Sequence, residues 1–206
     1  GWWEAYREDF RARSDKGWIL GASHDSVLPA EHHQDAFVGR KAVERIENIE
    51  RDYPWFMFVS FQGPHDPFDP PKKVGQTYRD ADIPDPVAAD LSDKGRRTQH
   101  RRDDRVAPGE EPDAEEVRKA RRQYAAKITW IDTQVGAILD ALDRTGQTEN
   151  TIVVFCSDHG EMAGDHELWI KHVAYDPAWR VPMVLAGPGL EPGVSDAMVE
   201  LSDVNP

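Results

Sequence analysis

A strand-length apolar run, Thr151-Ile-Val-Val-Phe155, stops abruptly at Cys156-Ser-Asp-His-Gly160. A second run, Trp55-Phe-Met-Phe-Val-Ser-Phe61, is apolar on both faces and stops at Gly63-Pro-His65. A strand apolar on both faces belongs inside a layered sheet, not at the edge of a solvated one. These two runs therefore commit the chain to an α/β arrangement more firmly than any other feature. In open α/β sheets, ligands gather at the carboxyl ends of the strands. Parallel strands would place His65, Asp158 and His159 on one rim.

The segments between the runs agree with that architecture. Phe37, Val38, Ala42, Val43, Ile46 and Ile49 recur at helical spacing between Gln34 and Glu50, and Pro54 closes that region. Asp113-Ala-Glu-Glu116 resembles a capping box. The helix after it carries one apolar stripe of Val117, Ala120, Tyr124, Ile128, Ile131, Val135, Ile138 and Leu142. Gly146 suits its C-terminal cap. A further strand is expected at Val181–Ala186, before Gly187-Pro-Gly189. The sum predicts an α/β fold with a mostly parallel central sheet and helices on both faces. Residues 1–206 read as one domain with a charged, proline-interrupted excursion at 72–112.

Lys and Arg number 25 against 38 Asp and Glu, a formal charge of −13. So acidic a chain is a poor general ligand for nucleic acid or an anionic membrane, and an anionic substrate needs local cations. The one basic cluster, Arg96–Arg105, is diluted by aspartates and lacks aromatic partners, so it reads as a solvated loop. No apolar run reaches the length of a membrane span. The single cysteine, Cys156, excludes an intrachain disulfide and leaves cytoplasmic and periplasmic locations both open. A thiol inside an apolar strand end is expected to be buried and inert.

Asp is a hard oxygen ligand and neutral His a borderline nitrogen ligand, so Asp158-His159 reads as half of a metal site. His65 lies between Pro64 and Pro67, which restrict its backbone and suit a preorganised contact. A general acid, or a donor to an anionic oxygen, is the role expected of it. Lys171 comes just after Leu168 and Trp169 on a loop able to fold back toward Asp158, where a cation would neutralise an anionic substrate. His166 and His172 are assigned supporting roles, and Asp165 either a metal contact or an exposed position. Trp2, Trp3 and Trp18 read as packing residues, and His32-His33 carries no metal-ligand spacing.

Taken together, Phe58-Val-Ser-Phe-Gln-Gly-Pro-His-Asp-Pro-Phe-Asp-Pro-Pro71 resembles the sulfatase loop that supplies a substrate-contacting histidine. Ile152 through Lys171, with Asp158-His-Gly160 and Trp169-Ile-Lys171, resembles that family's second metal-binding segment. Arg180–Gly189 and Val199–Pro206 resemble the family's segments downstream of that one. The resemblance implies the alkaline-phosphatase-like fold and one divalent cation, usually Ca2+, with Mg2+ or Mn2+ as alternatives. It implies that Asp158 and His159 are two of the four metal ligands, that His65 protonates the leaving oxygen and that Lys171 holds an ester oxygen. The implied substrate is a small-molecule or saccharide sulfate ester.

Sulfatases take their nucleophile, a formylglycine, from a Cys/Ser-x-Pro/Ala-x-Arg motif. Cys156 is followed by Ser157 and Asp158 and does not match it. The nucleophile and the other two metal ligands are therefore expected upstream of Gly1, and this chain alone is expected not to turn over substrate. His159, where some sulfatases carry Asn, also occurs in branches resembling choline sulfatases and phosphonate or phosphodiester monoesterases. A phosphonate or phosphodiester hydrolase and a non-catalytic metal- or partner-binding domain are the alternatives.

Overall fold

The structure, a computed structural model, describes residues 1–14, 23–88 and 113–204. Trp18 and the basic cluster Arg96–Arg105 lie outside the described residues. The spine of the fold is a 31-residue helix, Ala114–Arg144, which at 1.5 Å per residue runs roughly 46 Å. In chain order the α-helices are α1 (Trp2–Ser14), α2 (Gln34–Glu47), α3 (Lys72–Thr77), the spine as α4, and the single turn α5 (Asp176–Trp179).

The helix ends obey the capping signals. The Asp113 carboxylate accepts from Glu115 N at the start of α4. Gly146 beyond its end takes φ 65°, a left-handed conformation that costs glycine nothing. His33 caps α2 through Nδ1, which accepts from Asp35 N. The pair His32-His33, silent as a metal motif, therefore has a structural task.

The α4 stripe differs from expectation in its middle. Ile128 is exposed, while Lys127 and Gln134 are buried on the inner face. Gly39 of α2 packs so close to Gln134 that an added Cβ would meet Oε1 at 2.7 Å. Lys127 is buried here because oxygens of the His65 loop receive its ammonium, and Gln134 because it packs against Gly39 and donates to Trp130 O within its own helix, conditions that periodicity does not register.

One end of α4 carries strands and the other carries loops. Ile46, Ala141 and Leu142 form a core with Val43, Trp55, Met57, Ile138 and Val153. At the opposite end, Phe68, Val117, Ala120, Trp169 and Ile170 close over Tyr124. Met162, Leu168 and Ala178 make a third cluster beside it.

The expected mostly parallel central sheet is not formed among the described residues. The one ladder joins β1 (Val153–Cys156) to β2 (Met183–Ala186), antiparallel, with Val153 opposite Ala186 and Cys156 opposite Met183. The stretch 55–62 keeps the period-two signature of a strand: Trp55, Met57, Val59 and Phe61 are half-buried, and the residues between them are exposed. Among the described residues it has no hydrogen-bonded neighbour strand, so it completes no ladder. Its outer face, expected between two layers, is open: Phe56 is 89% and Phe58 80% exposed. Ile152, Val154, Phe155, Val184 and Leu185, which alternate between the two faces of the β1–β2 ladder, are exposed as well. Cys156, expected to be buried, is exposed for the same reason.

The excursion at 72–112 begins as an ordered part of the body. Helix α3 packs on α4, and the Tyr78 hydroxyl pairs with Thr129 Oγ1 at 2.6 Å. Residues 89–112 lie outside the described residues. Among the described residues no helix is long and apolar enough to cross a membrane.

Candidate functional site

Two loops meet over the N-terminal half of α4. The first, after the 55–62 stretch, contains His65, with cis peptide bonds at Gly63–Pro64 and Asp66–Pro67. The second runs from the end of β1 to Lys171. Phe68 of the first and Trp169 and Ile170 of the second share one buried cluster against Val117 and Ala120. That shared packing brings residues far apart in sequence into one site.

The His65 Nε2 and Lys171 Nζ atoms lie 2.7 Å apart. An ammonium only donates, so in this arrangement Nε2 accepts and the imidazole proton sits on Nδ1. Nδ1 faces Asp66 twice, 3.0 Å from its backbone oxygen and 3.1 Å from Oδ1. The Asp66 carboxylate, nearly buried, sets the tautomer and leaves Nε2 as the working face. Sequence reasoning missed Asp66, although its place directly after the histidine was a visible signal.

The His159 ring stands edge-on to His65, centroids 6.2 Å apart. Its Nδ1 donates to Gly160 O at 2.9 Å, so the Nε2 lone pair points elsewhere, to within 3.5 Å of Asp158 Oδ2. Adjacent donors around a cation with 2.3–2.6 Å bonds lie about 3.3–3.7 Å apart, and fixing one imidazole nitrogen on a carbonyl is the usual support for a metal-facing histidine. The pair fits half of a ligand set. Among the described residues no group of three or more His, Cys, Asp or Glu side chains stands ready to hold a metal. Gly160 is required by contact: a Cβ there would sit 1.9 Å from Pro177 O, while its N–H donates to Ala178 O at 2.9 Å.

The loop to Lys171 is held under strain. Ala163, His166, Glu167 and Ile170 all take φ between 47° and 60°, and a β-branched residue there costs on the order of 1–3 kcal/mol. Glu161 offsets this at both ends, its Oε1 accepting from Ala163 N at 3.0 Å and Ile170 N at 2.6 Å. Burial pushes the Glu161 carboxyl above the usual carboxylate range despite those two donors. Asp165, left open between metal contact and exposed carboxylate, is neither. It pairs with Arg121 Nη1 at 3.0 Å and accepts from Val87 N at 3.0 Å. His166 stacks on Tyr175, centroids 4.5 Å apart, in a packing role.

Beneath the first loop lies a buried polar network that no sequence motif announced. Asp35, His33, Asp69 and Lys127 are all essentially inaccessible. Asp35 Oδ1 accepts from Gly63 N at 3.2 Å, and Trp130 Nε1 donates to His33 Nδ1 at 3.2 Å. His33 Nε2 faces Asp69 O at 3.3 Å. Burial lowers the His33 pKa, and an Nδ1 already accepting two N–H groups has no place for a proton.

A sulfatase family model matches residues 2–206. The chain belongs to the sulfatase family. Choline-sulfatase of Rhizobium meliloti is 32% identical over 197 residues, 92% of this chain and 38% of that protein. Arylsulfatase of Clostridium perfringens is 34% identical over 179 residues, 84% of this chain and 37% of that protein. This sulfatase chain thus spans less than half the length of these curated relatives. Among solved structures, the phosphonate monoester hydrolase of Silicibacter pomeroyi superposes with a TM-score of 0.69 at 28% identity, over 84% of this chain and 36% of that one. The sulfatase fold here is therefore of the alkaline-phosphatase-like type that such hydrolases share, with mixed helices and a small sheet among the described residues.

Proposed function

We propose that this chain is the middle part of a metal-dependent sulfuric-ester hydrolase, with a formylglycine nucleophile and the remaining metal ligands supplied outside it. The observation that carries the reading is the convergence of His65 Nε2, Lys171 Nζ and the His159 ring from two distant loops. Asp158 and His159 would hold a divalent cation, Ca2+ by preference and Mg2+ or Mn2+ otherwise, which when bound supplies positive charge to the ester oxygens. Lys171 binds an ester oxygen and stabilises negative charge as it develops there. With an oxygen of the substrate taking Lys171's N–H, His65 Nε2 is released to take up a proton from solvent, which makes the imidazolium. It donates that proton to the departing alkoxide oxygen, while Asp66 holds Nδ1–H and stabilises the imidazolium. The buried Phe68 and Trp169 keep the two loops together during this exchange.

A second reading, a phosphonate monoester or phosphodiester hydrolase, is favoured by the likeness to the Silicibacter enzyme. Its tetrahedral centre makes the same demands on a cation and a proton donor. In the complete polypeptide that carries this chain, turnover of an aryl sulfate and of a phenyl phosphonate monoester are compared for the parent, H65A, K171A and D158A. Faster sulfate turnover is expected, falling about 10²–10⁴-fold in H65A and about 10²–10³-fold in K171A, with D158A losing bound Ca2+. Faster phosphonate turnover selects the second reading, and wild-type rates in both H65A and K171A would sink either hydrolase assignment.

A further inference from the structure

Lys127 is a charged residue on the inner face of α4, with 0% of its side chain exposed. Its ammonium has three N–H groups and three oxygen partners: His65 O at 3.0 Å, Pro67 O at 2.9 Å and Asp69 Oδ1 at 3.3 Å. The two carbonyls bracket Asp66, the residue whose backbone oxygen and carboxylate hold His65 Nδ1. The Lys127 stem runs under the entrance to the same loop, since a Cβ on Gly63 would lie 3.2 Å from its Cε.

We propose that Lys127 is a positioning residue for His65: from the rigid spine helix it fixes the peptide groups on both sides of Asp66, and so aims His65 Nε2 at Lys171. This rests on the role given to His65 above. As a packing device the lysine is inferior to methionine, which fills a similar volume without desolvating an ammonium, and buried ion pairs are often no more stabilising than apolar replacements. What an apolar side chain cannot do is hold two carbonyls of an irregular loop at fixed positions. Misplacing a reacting group by about 1 Å costs on the order of 10²-fold in rate, so loop geometry is the property at stake. Asp69, which accepts from Lys127, neutralises it, and Asp35 accepts from Gly63 N at the entrance to the same loop.

The test is a kinetic double-mutant cycle in the complete polypeptide, with an aryl sulfate as substrate. K127M leaves the Asp69 charge unpaired, so K127M/D69N is made alongside it to remove both charges at once. Because a fold defect would slow any background equally, each variant is combined with H65A. Expected is a kcat about 10- to 100-fold lower in K127M/D69N, with KM changed by less than about twofold. In the H65A background the same pair of substitutions should change kcat by less than about twofold, because the group being aimed is gone. An equal loss with and without His65 would assign Lys127 to structure alone and overturn the proposal. Unchanged kcat in K127M/D69N, with H65A slow, would also overturn it. Wild-type turnover in H65A would instead overturn the reading of His65 on which it rests.

Discussion

Phe68 joins the two loops of the site, and its removal tests the reasoning about how they meet. The ring is completely buried and meets Tyr124 edge-on, with centroids 5.2 Å apart at 65°. Val117 and Ala120 of the spine helix and Trp169 and Ile170 of the Lys171 loop complete its surroundings. Phe68→Ala removes the buried ring and leaves a cavity, a change that costs about 3–5 kcal/mol. About 0.5–1.5 kcal/mol of that is the aromatic pair with Tyr124. The upper half of the range is expected, because Val117 and Ala120 are fixed on a long helix and cannot collapse inward. Net stabilities run about 5–15 kcal/mol, so the loss is a large fraction of the whole. At this chain length about 2–4 °C of Tm is lost per kcal/mol, which predicts a drop of roughly 8–20 °C by calorimetry or circular dichroism. Phe68→Leu, which keeps most of the volume, should cost about 1.5 kcal/mol or less. A Tm for Phe68→Ala within about 2 °C of the parent, or equal losses for the two variants, would refute the buried bridge between the loops.

The buried network and the open face each make a further outcome testable. His33 has a folded pKa below its unfolded value because of burial, so its neutral form belongs to the folded state. Its contribution is complete above the unfolded pKa of about 6.5 and is lost as pH falls from there toward the folded value, by up to about 1.4 kcal/mol per pH unit. His33→Asn keeps a capping acceptor and should flatten the stability profile below about pH 6.5; denaturant titrations at several pH values that superpose in slope would contradict this. Phe56 and Phe58, 89% and 80% exposed on one side of the 55–62 stretch, present apolar surface of the kind that promotes association. The 206-residue chain studied by itself should self-associate in light scattering and bind a hydrophobic dye, and F56S/F58S should suppress both.

Much of the local structure was legible because it depends on near neighbours. The capping acceptor Asp113, the left-handed Gly146 and the start of α2 at Gln34 reflect the preference of single residues for particular backbone angles, while α2 ends at Glu47, before Ile49 of the expected stripe. The 55–62 stretch shows its period of two in exposure as well as in composition. The motifs around His65, Asp158, His159 and Lys171 were visible as residue types at characteristic spacing, and the family they point to is the one to which the chain belongs.

Other features needed the tertiary fold. Strand pairing is a relation between distant segments, so apolar runs alone could not tell that Val153–Cys156 joins Met183–Ala186 antiparallel, or that the 55–62 stretch has no ladder partner among the described residues. Periodicity assigned Ile128 to the core of the spine helix, but the surroundings select Lys127, because only there do three oxygens from a distant loop meet an ammonium. Asp165 became an ion-pair partner of Arg121, and Cys156 an exposed thiol, through contacts made or lacking across the fold. The chemistry of each side chain is thus a local property written in the sequence. Which charge faces which is decided by packing, since burial and distance, not residue type, set the strength of an electrostatic contact.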